Sequence, residues 1–314
     1  MRLLAGDMLD RMAAERIRGL WLVPGSVPIY RRGKEILPFG NTKLFPDDIR
    51  QILMNLRSRA SLQLGTGLGE SGCFSFGVKG VGRFRVSYVM QRGSYAVFIF
   101  LTGEEPFSLD SMITDFTALE SLRRMMASSD GIIIISGPFT VINYDFAGAI
   151  VAELVANRQS IVYTVEDPLI YTLRHRKSVV IQCEVGTDVK SVKEGIVNAV
   201  NISADVLYVS NIPDSESLEV LLRAIEGGRL IIVSFVSVGV IPGLFGLETM
   251  AANRWYFRQK LAYALLGSFS PRIEVNESVI EWLEVTKEMQ DIIMRGAYEE
   301  LEPYLKISGA NLKV

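Results

Sequence analysis

Two patterns of hydrophobic and polar positions divide the chain near residue 110. In the first hundred residues, apolar and polar residues alternate along GCFSFGVKG, GRFRVSYVMQRG and SYAVFIFL. This alternation is typical of antiparallel hairpin strands with one exposed face. Apolar residues recur at helical spacing at about 5–17 and 46–59. The sequence therefore predicts an N-terminal α+β domain over residues 1–102.

The second pattern begins after residues 103–115, a polar, proline-containing segment that we interpret as a linker. Here the predicted strands are continuous Ile- and Val-rich runs that alternate with helical stretches. Such strands are typical of a mainly parallel sheet covered by helices on both faces. Residues 116–314 are therefore predicted to form an α/β domain with a helical tail from about 252. The predicted strands are GIIIIS, SIVYTVED, SVVIQCEV, ADVLYVSN and RLIIVSFV.

The composition narrows the classes of function. With 49% hydrophobic residues, 22% charged residues and a net charge of −2, the 314-residue chain has a globular profile and no overall attraction to nucleic acid. Cys73 and Cys183 match no metal-binding spacing, and they suit a reducing cytoplasmic compartment. His175 is the only histidine, so the chain cannot form a histidine metal cluster.

One uncharged run, Leu230–Leu247, raises the question of a membrane segment. It contains serines, glycines and a proline, and it starts with the β-rich LIIVSFV, so we expect a buried strand followed by an uncharged loop. The first twenty residues lack the uninterrupted apolar core of a signal peptide. We expect a cytoplasmic protein that reaches the inner membrane only through partners.

Two segments have the look of nucleotide-binding loops. GTGLGESG at 65–72 follows a predicted helix and leads into a strand, whereas a dinucleotide loop does the opposite, so we interpret it as a hairpin or connecting turn. GPFTVINYDF at 137–146 follows a strand and precedes a helix, which is where a phosphate-binding loop lies. It lacks the lysine, the inner glycines and the Ser/Thr of such a loop.

Taken in order with its neighbours, the second segment resembles part of the PilT/GspE family of secretion and type IV pilus ATPases. The resemblance covers nearly the whole chain and rests on the joint order of modest motifs. It implies a PAS-like N-terminal domain, a RecA-like C-terminal domain and a hexameric ring with ATP between subunits. Hydrolysis would drive pilus extension, retraction or secretion. The motifs are RFRV…QRG at 83–93, VEDP at 165–168, QCEVG at 182–186 and ADVLYVSNIPD at 204–214.

The resemblance also shows what the phosphate loop has lost. The family loop is G-P-T-G-S-G-K-S/T, of which Gly137 and Pro138 remain. Ile142 replaces the last glycine, Asn143 the lysine and Tyr144 the magnesium-binding hydroxyl residue. Asparagine offers phosphate a dipole instead of a charge, and a β-branched residue resists the backbone angles that glycine allows. The loop is therefore expected to be degenerate.

Other positions that match the family's site also lack the residue that the family has there. Asp145 places a carboxylate where the phosphate charge would lie, and we expect it to cap the helix as an internal substitute for phosphate. Asn211 replaces the catalytic glutamate of the Walker B segment and cannot accept a proton from water at neutral pH. Arg229 and Val236 fall where the family has histidines.

Some family residues are kept. Glu166 matches the acidic residue of the family's ED-P box, which implies a catalytic role, but an acid at the start of a turn is an equal alternative. Arg83, Arg85 and Arg92 match arginines that face nucleotide at a subunit interface in the family. They equally suit solvent-facing charge on hairpin strands.

These substitutions predict a catalytically inactive PilT/GspE-like protein that is a structural or regulatory component of a type IV pilus or type II secretion-like machine. ATP and magnesium, the family's cofactors, are not expected to bind tightly, and no resident metal is expected. The expected partners are copies of itself, a catalytic PilT/GspE-type paralogue or an inner-membrane platform, and not nucleic acid. The resemblance implies a hexameric ring as the form of the oligomer. The alternatives are a weak ATPase completed by a neighbouring subunit and a ligand-sensing regulator that works through the PAS-like half.

Overall fold

The chain divides into two units, Met1–Glu105 and Pro106–Lys313, each with its own hydrophobic core. Within residues 103–115, the predicted linker, a short helix lies at Leu109–Met112. The computed structural model describes residues 5–32, 35–60, 68–102, 105–137, 141–274 and 278–312.

The N-terminal unit is a six-stranded antiparallel sheet in the order β3-β2-β1-β6-β5-β4, with a core that also includes two helices. The predicted hairpins are present, and alternate residues of β5 are buried. Residues 65–67 of the glycine-rich segment lie outside the described part of the chain. The elements are α1 (Ala5–Ala14), β1 (Gly19–Leu22), β2 (Ile29–Arg32), β3 (Glu35–Pro38), α2 (Pro46–Arg59), β4 (Ser71–Val78), β5 (Gly82–Gln91) and β6 (Ser94–Leu101).

The C-terminal unit is built on an eight-stranded sheet in the order β14-β13-β12-β7-β11-β10-β8-β9. The strands from β12 to β9 in that order pair in parallel, and β12, β13 and β14 pair antiparallel. The elements are α3 (Leu109–Met112), α4 (Phe116–Met126), β7 (Gly131–Gly137), α5 (Val141–Asn157), β8 (Ile161–Glu166), β9 (Val179–Glu184), α6 (Val192–Asn201), β10 (Val206–Val209), α7 (Ser215–Ile225), β11 (Leu230–Val236), α8 (Val240–Met250), α9 (Arg254–Ala264), β12 (Leu265–Ile273), β13 (Ser278–Glu284), α10 (Met289–Arg295), a 3-10 helix (Tyr298–Tyr304) and β14 (Lys306–Ala310).

The continuous apolar strands bury both faces of this sheet. In β7, Ile132 and Ile134 belong to the core on one face, while Ile133 and Ile135 belong to the core on the other. Full burial of one such side chain stabilises the fold by about 1.5–3 kcal/mol. The isoleucine run therefore fixes β7 in the centre of the sheet, and α5 leaves from its carboxyl end.

The tail differs from the prediction. Helices α9 and α10 are present, but the tail also contributes the strands β12, β13 and β14, which the sequence analysis missed. Residues 230–247 form β11 followed by most of α8, so the expected loop is wrong, and the second half of the run is a helix that packs into the core. Among the described residues, no helix is long and apolar enough to cross a bilayer.

Candidate functional site

The predicted site residues of the C-terminal unit gather along one edge of its sheet. Since β7, β8, β10 and β11 are parallel, their carboxyl ends lie at the same edge, where open α/β sheets bind ligands. Gly137 is the last residue of β7, Glu166 is the last residue of β8, and Asn211 follows β10 by two residues. Pro138 lies outside the described residues.

The first turns of α5 hold the positions that the resemblance assigns to the phosphate loop. Ile142 and Asn143 are buried, and Tyr144 is partly buried. A Cβ atom added to Gly137 would lie 3.0 Å from Asn143 Oδ1, so glycine is what lets the amide approach the strand end this closely. The Asn143 side chain therefore packs against the end of β7. It brings no positive charge to the place where the family's lysine meets phosphate.

The helix-capping role expected for Asp145 is wrong. Helix α5 begins at Val141, so Asp145 lies inside the helix rather than at its N-cap. Its buried carboxylate accepts a hydrogen bond from the Tyr171 hydroxyl. The Tyr171 ring packs over Gly148, where a Cβ atom would come within 2.7 Å of it. Asp145 thus ties α5 to the loop after β8 through a side-chain contact.

The buried Glu166 carboxyl group accepts three hydrogen bonds from neighbouring groups of the chain. Its Oε1 accepts from the Thr164 hydroxyl at 2.6 Å and from Gln182 Nε2 at 3.1 Å, and its Oε2 accepts from the Ile170 amide at 3.4 Å. Burial raises the pKa of Glu166 to about 7, against the opposing effect of these hydrogen bonds, and the nearby Glu184 carboxylate raises it further. Glu166 therefore exchanges its proton near neutral pH.

A cavity of about 10 Å³ adjoins Glu166, which is about enough room for one water molecule. Its walls combine aromatic rings from α5, β10 and the loop after β8. Burial raises the pKa of the Tyr208 hydroxyl well above its usual value, with a further contribution from Glu166. The lining residues are Tyr144, Gly148, Val151, Glu166, Ile170, Tyr171, Leu173, Gln182 and Tyr208.

The described residues do not fit a nucleotide phosphate with magnesium. In Gly137 and Val141–Asp145 there is no cation, and the Asp145 carboxylate is already paired with Tyr171. Among the described residues, no group of three His, Cys, Asp or Glu side chains could hold a metal ion.

The family is decided by a sequence-model match. The model described as "Type II/IV secretion system protein" matches residues 80–274, more than half of the chain. The chain belongs to this secretion-system family. The match spans β5 and β6 of the N-terminal unit and the strands β7 to β12.

Individual relatives agree with the family. The type IV pilus ATPase PilU of Pseudomonas aeruginosa is 23% identical over 300 residues, which cover 92% of this chain and 76% of that protein. The type IV pilus retraction ATPase PilT of the same organism is 28% identical over 162 residues, 50% of this chain and 45% of that protein.

Solved structures show that the fold is the same. The pilus retraction motor PilT with bound ADP has a TM-score of 0.78 at 23% identity, covering 96% of this chain and 89% of that one. The Legionella pneumophila ATPase DotB has a TM-score of 0.79 at 17% identity, covering 98% and 90%. The C-terminal unit is therefore RecA-like.

The three arginines of the secretion-system resemblance are not grouped. Arg83 and Arg85 lie near the start of β5, two residues apart and hence on the same face. Arg92 lies in the two-residue turn after β5, with φ 49° beside Gly93 at φ 72°. At about 3.3 Å per residue, Arg92 is about 23 Å along the strand from Arg85. The structure therefore makes one arginine pair and one isolated arginine at a hairpin tip.

Sequence reasoning missed the residues that close the site. Tyr171 lies in an irregular loop and had no motif to single it out. Gln182 belongs to the QCEVG motif, and its amide joins Glu166 to the Tyr171 carbonyl, at 3.1 and 2.9 Å. Arg229, matched to a family histidine, is buried at the amino end of β11, on the edge of the sheet opposite the candidate site.

Proposed function

We propose that this chain is a catalytically inactive member of the secretion-system ATPase family. It acts as a structural or regulatory component of a type IV pilus or type II secretion-like machine. The observation that carries the proposal is the Asp145–Tyr171 hydrogen bond. Asp145 lies within α5, and its buried carboxyl group, engaged by Tyr171, places an acid rather than a cation close to the helix N-terminus that holds phosphate in the family.

The substitutions around it support the same conclusion. Asn143 has no charge with which to neutralise phosphate, and Asn211 cannot act as a general base. Removing one transition-state contact lowers a rate by roughly 10²–10³, so the combined losses leave little hydrolysis even though such effects are not additive. ATP and magnesium are therefore not expected to bind tightly.

A second candidate, a weak ATPase completed by a neighbouring subunit, is favoured by one observation. Glu166 keeps the family's acidic position, and its pKa of about 7 suits a general acid or base at neutral pH. Turnover assays separate the two candidates. We expect background hydrolysis that Glu166→Gln leaves unchanged. Turnover that the variant abolishes would support the weak ATPase instead.

The proposed partners are further copies of this chain in a ring, a catalytic paralogue and an inner-membrane platform. We place the protein in the cytoplasm, so it would contact that platform at the cytoplasmic face of the membrane. Arg83 and Arg85 lie together on β5, so both can contact a nucleotide bound to a neighbouring subunit. Arg92 lies too far along the rigid strand to contact the same nucleotide phosphate. An arginine supplied in trans is worth roughly 10³–10⁵ in phosphoryl-transfer rate.

Mixing this protein with the motor ATPase of the same cell tests the partner proposal. We expect complex formation and a change in turnover that is lost in Arg83→Ala/Arg85→Ala and kept in Arg92→Ala. Arg92→Ala is the control on the same hairpin; it removes one positive charge, whereas the double variant removes two. Equal behaviour of both variants and the parent would show that the arginines are surface charge only.

A further inference from the structure

The loop after β8, residues 167–173, closes the candidate site without regular secondary structure of its own. We call this segment the strap. Leu169, Ile170 and Tyr171 in its middle are buried. Side chains from three strand ends hold its backbone amides. The contacts run from Asp167 N to Ser210 Oγ (2.7 Å), from Leu169 N to Glu184 Oε1 (3.3 Å), from Ile170 N to Glu166 Oε2 (3.4 Å) and from Leu173 N to Gln182 Oε1 (2.7 Å).

Glu166 is the centre of these contacts. It accepts directly from the Ile170 amide, and it accepts from the Gln182 amide, which also donates to the Tyr171 carbonyl. The closed strap therefore depends on how well the Glu166 carboxyl group is accommodated in its buried position.

Among the described residues that line its cavity or affect its pKa none is a cation, so an ionised Glu166 is compensated only by the hydrogen bonds that it accepts. Among the described residues, the titratable groups that face it are the tyrosines of the cavity wall, Tyr144, Tyr171 and Tyr208, and the Glu184 carboxylate of β9. Asp145 of α5 lies behind Tyr171 and is also an acid. A buried charge with no counter-ion is unfavourable unless water reaches it, and the adjoining cavity has room for about one molecule.

We propose that the strap is a proton-controlled closure of the former nucleotide pocket: it is shut while Glu166 is protonated and opens when Glu166 ionises. Opening breaks the Ile170 contact, admits water to the carboxylate and uncovers Tyr171 and the first turns of α5. The inference rests on the proposed function, because in a pocket without nucleotide Glu166 keeps its hydrogen bonds to groups of its own chain.

The expected effect follows from proton linkage. Glu166 holds its proton up to about pH 7 in the closed state, whereas a solvated glutamate releases it near its ordinary value of 4.5. The open fraction therefore rises by about tenfold for each pH unit between these values and then levels off.

Amide hydrogen exchange on the full chain, without nucleotide, measures this opening. After correction for the intrinsic pH dependence of exchange, we expect the Ile170 and Tyr171 amides to lose protection between pH 5 and pH 6.5 by roughly tenfold or more. In Glu166→Gln, which keeps the shape and cannot ionise, protection should not change with pH. Glu184→Gln is the matched control, because this buried acid of β9 also accepts from a strap amide, that of Leu169, and the variant should retain the pH dependence.

The result that overturns the proposal is equal pH dependence in the parent and Glu166→Gln, or its loss in Glu184→Gln alone. If a variant does not fold, carbon-13 NMR of the parent decides. The proposal is contradicted if the Glu166 carboxyl group ionises below pH 5. It is also contradicted if Glu166 titrates without any change in the amide hydrogen exchange of the strap. Neither result bears on nucleotide binding, so failure of the strap and failure of the proposed inactivity are distinguishable.

Discussion

The interior of the RecA-like sheet and its carboxyl edge are built in different ways. In the interior, Ile133, Ile134 and Ile135 of β7 are completely buried among apolar neighbours. At the edge, Asp145 and Glu166 are buried as well, but each is held by specific polar partners. Apolar contacts are non-directional, so many similar side chains satisfy them, whereas a buried polar group needs its particular donor or acceptor.

Because of this difference, the fold of the sheet and the chemistry at its carboxyl edge can change independently of each other. The strands keep the hydrophobic runs that any member of the fold needs. At the polar edge, the acids are paired within the chain: Asp145 accepts from Tyr171, and Glu166 accepts from Thr164 and Gln182. The polar contacts at the edge can therefore change while the sheet beneath them stays intact.

The largest effect is expected from the interior. Ile134→Ala removes a completely buried side chain from the central strand and should lower the free energy of unfolding by about 2–5 kcal/mol, because a cavity remains. Ile134→Val should lower it by only about 0.5–1.5 kcal/mol, since the apolar contact survives. Urea unfolding measures both. As a control, Val179→Ala on the exposed part of β9 should change it by about 0.5 kcal/mol or less. Equal losses at the two positions would contradict the interior half of the comparison.

The next effect concerns Glu166 and pH. Its raised pKa means that the folded chain still holds a proton that the unfolded chain has released, so stability falls as pH rises from about 4.5 to about 7. At about 1.4 kcal/mol per unit, the loss amounts to about 3 kcal/mol. Glu166→Gln should lack this loss and should be the more stable form relative to the parent at pH 8 than at pH 5. Parallel stability curves for parent and variant would show that Glu166 is not buried as described.

A smaller effect tests the pairing at the start of α5. Removing either partner of the Asp145–Tyr171 hydrogen bond leaves the other buried without it, which should lower the free energy of unfolding by about 1.5–3 kcal/mol. Asp145→Ala, Tyr171→Phe and the double variant form a double-mutant cycle. We expect a coupling of about 1–2 kcal/mol. Strictly additive effects would mean that the two side chains act independently and that Asp145 is not committed to Tyr171.

The same contrast explains what the sequence could and could not predict. Continuous apolar runs and hairpin alternation identified the strands from β4 to β11, because burial imposes those patterns directly. Strand β12 was missed because LLGSFSPRI mixes Gly, Ser and Pro into the strand. Pro271 lies beyond Phe269, the last residue of β12 that pairs with β7, so its missing amide is tolerated there.

At the site, the sequence could indicate which family chemistry was absent but not what replaced it. The positions of Asn143, Tyr144 and Glu166 followed from the resemblance. The partner of Asp145 did not, since Tyr171 is 26 residues away along the chain in a loop without a motif. Only the packing of that loop over Gly148 brings the hydroxyl to the carboxylate.

Calorimetric titration of the purified protein with magnesium–ATP and magnesium–ADP tests the central claim most directly. A catalytic relative from the same family, titrated in parallel, is the positive control. We expect no binding tighter than the millimolar range, because the described residues at the end of β7 and the start of α5 offer no cation to phosphate and the Asp145 carboxylate already accepts from Tyr171. Saturable binding in the micromolar range would contradict this expectation and would show that the protein is a nucleotide-binding member of the family.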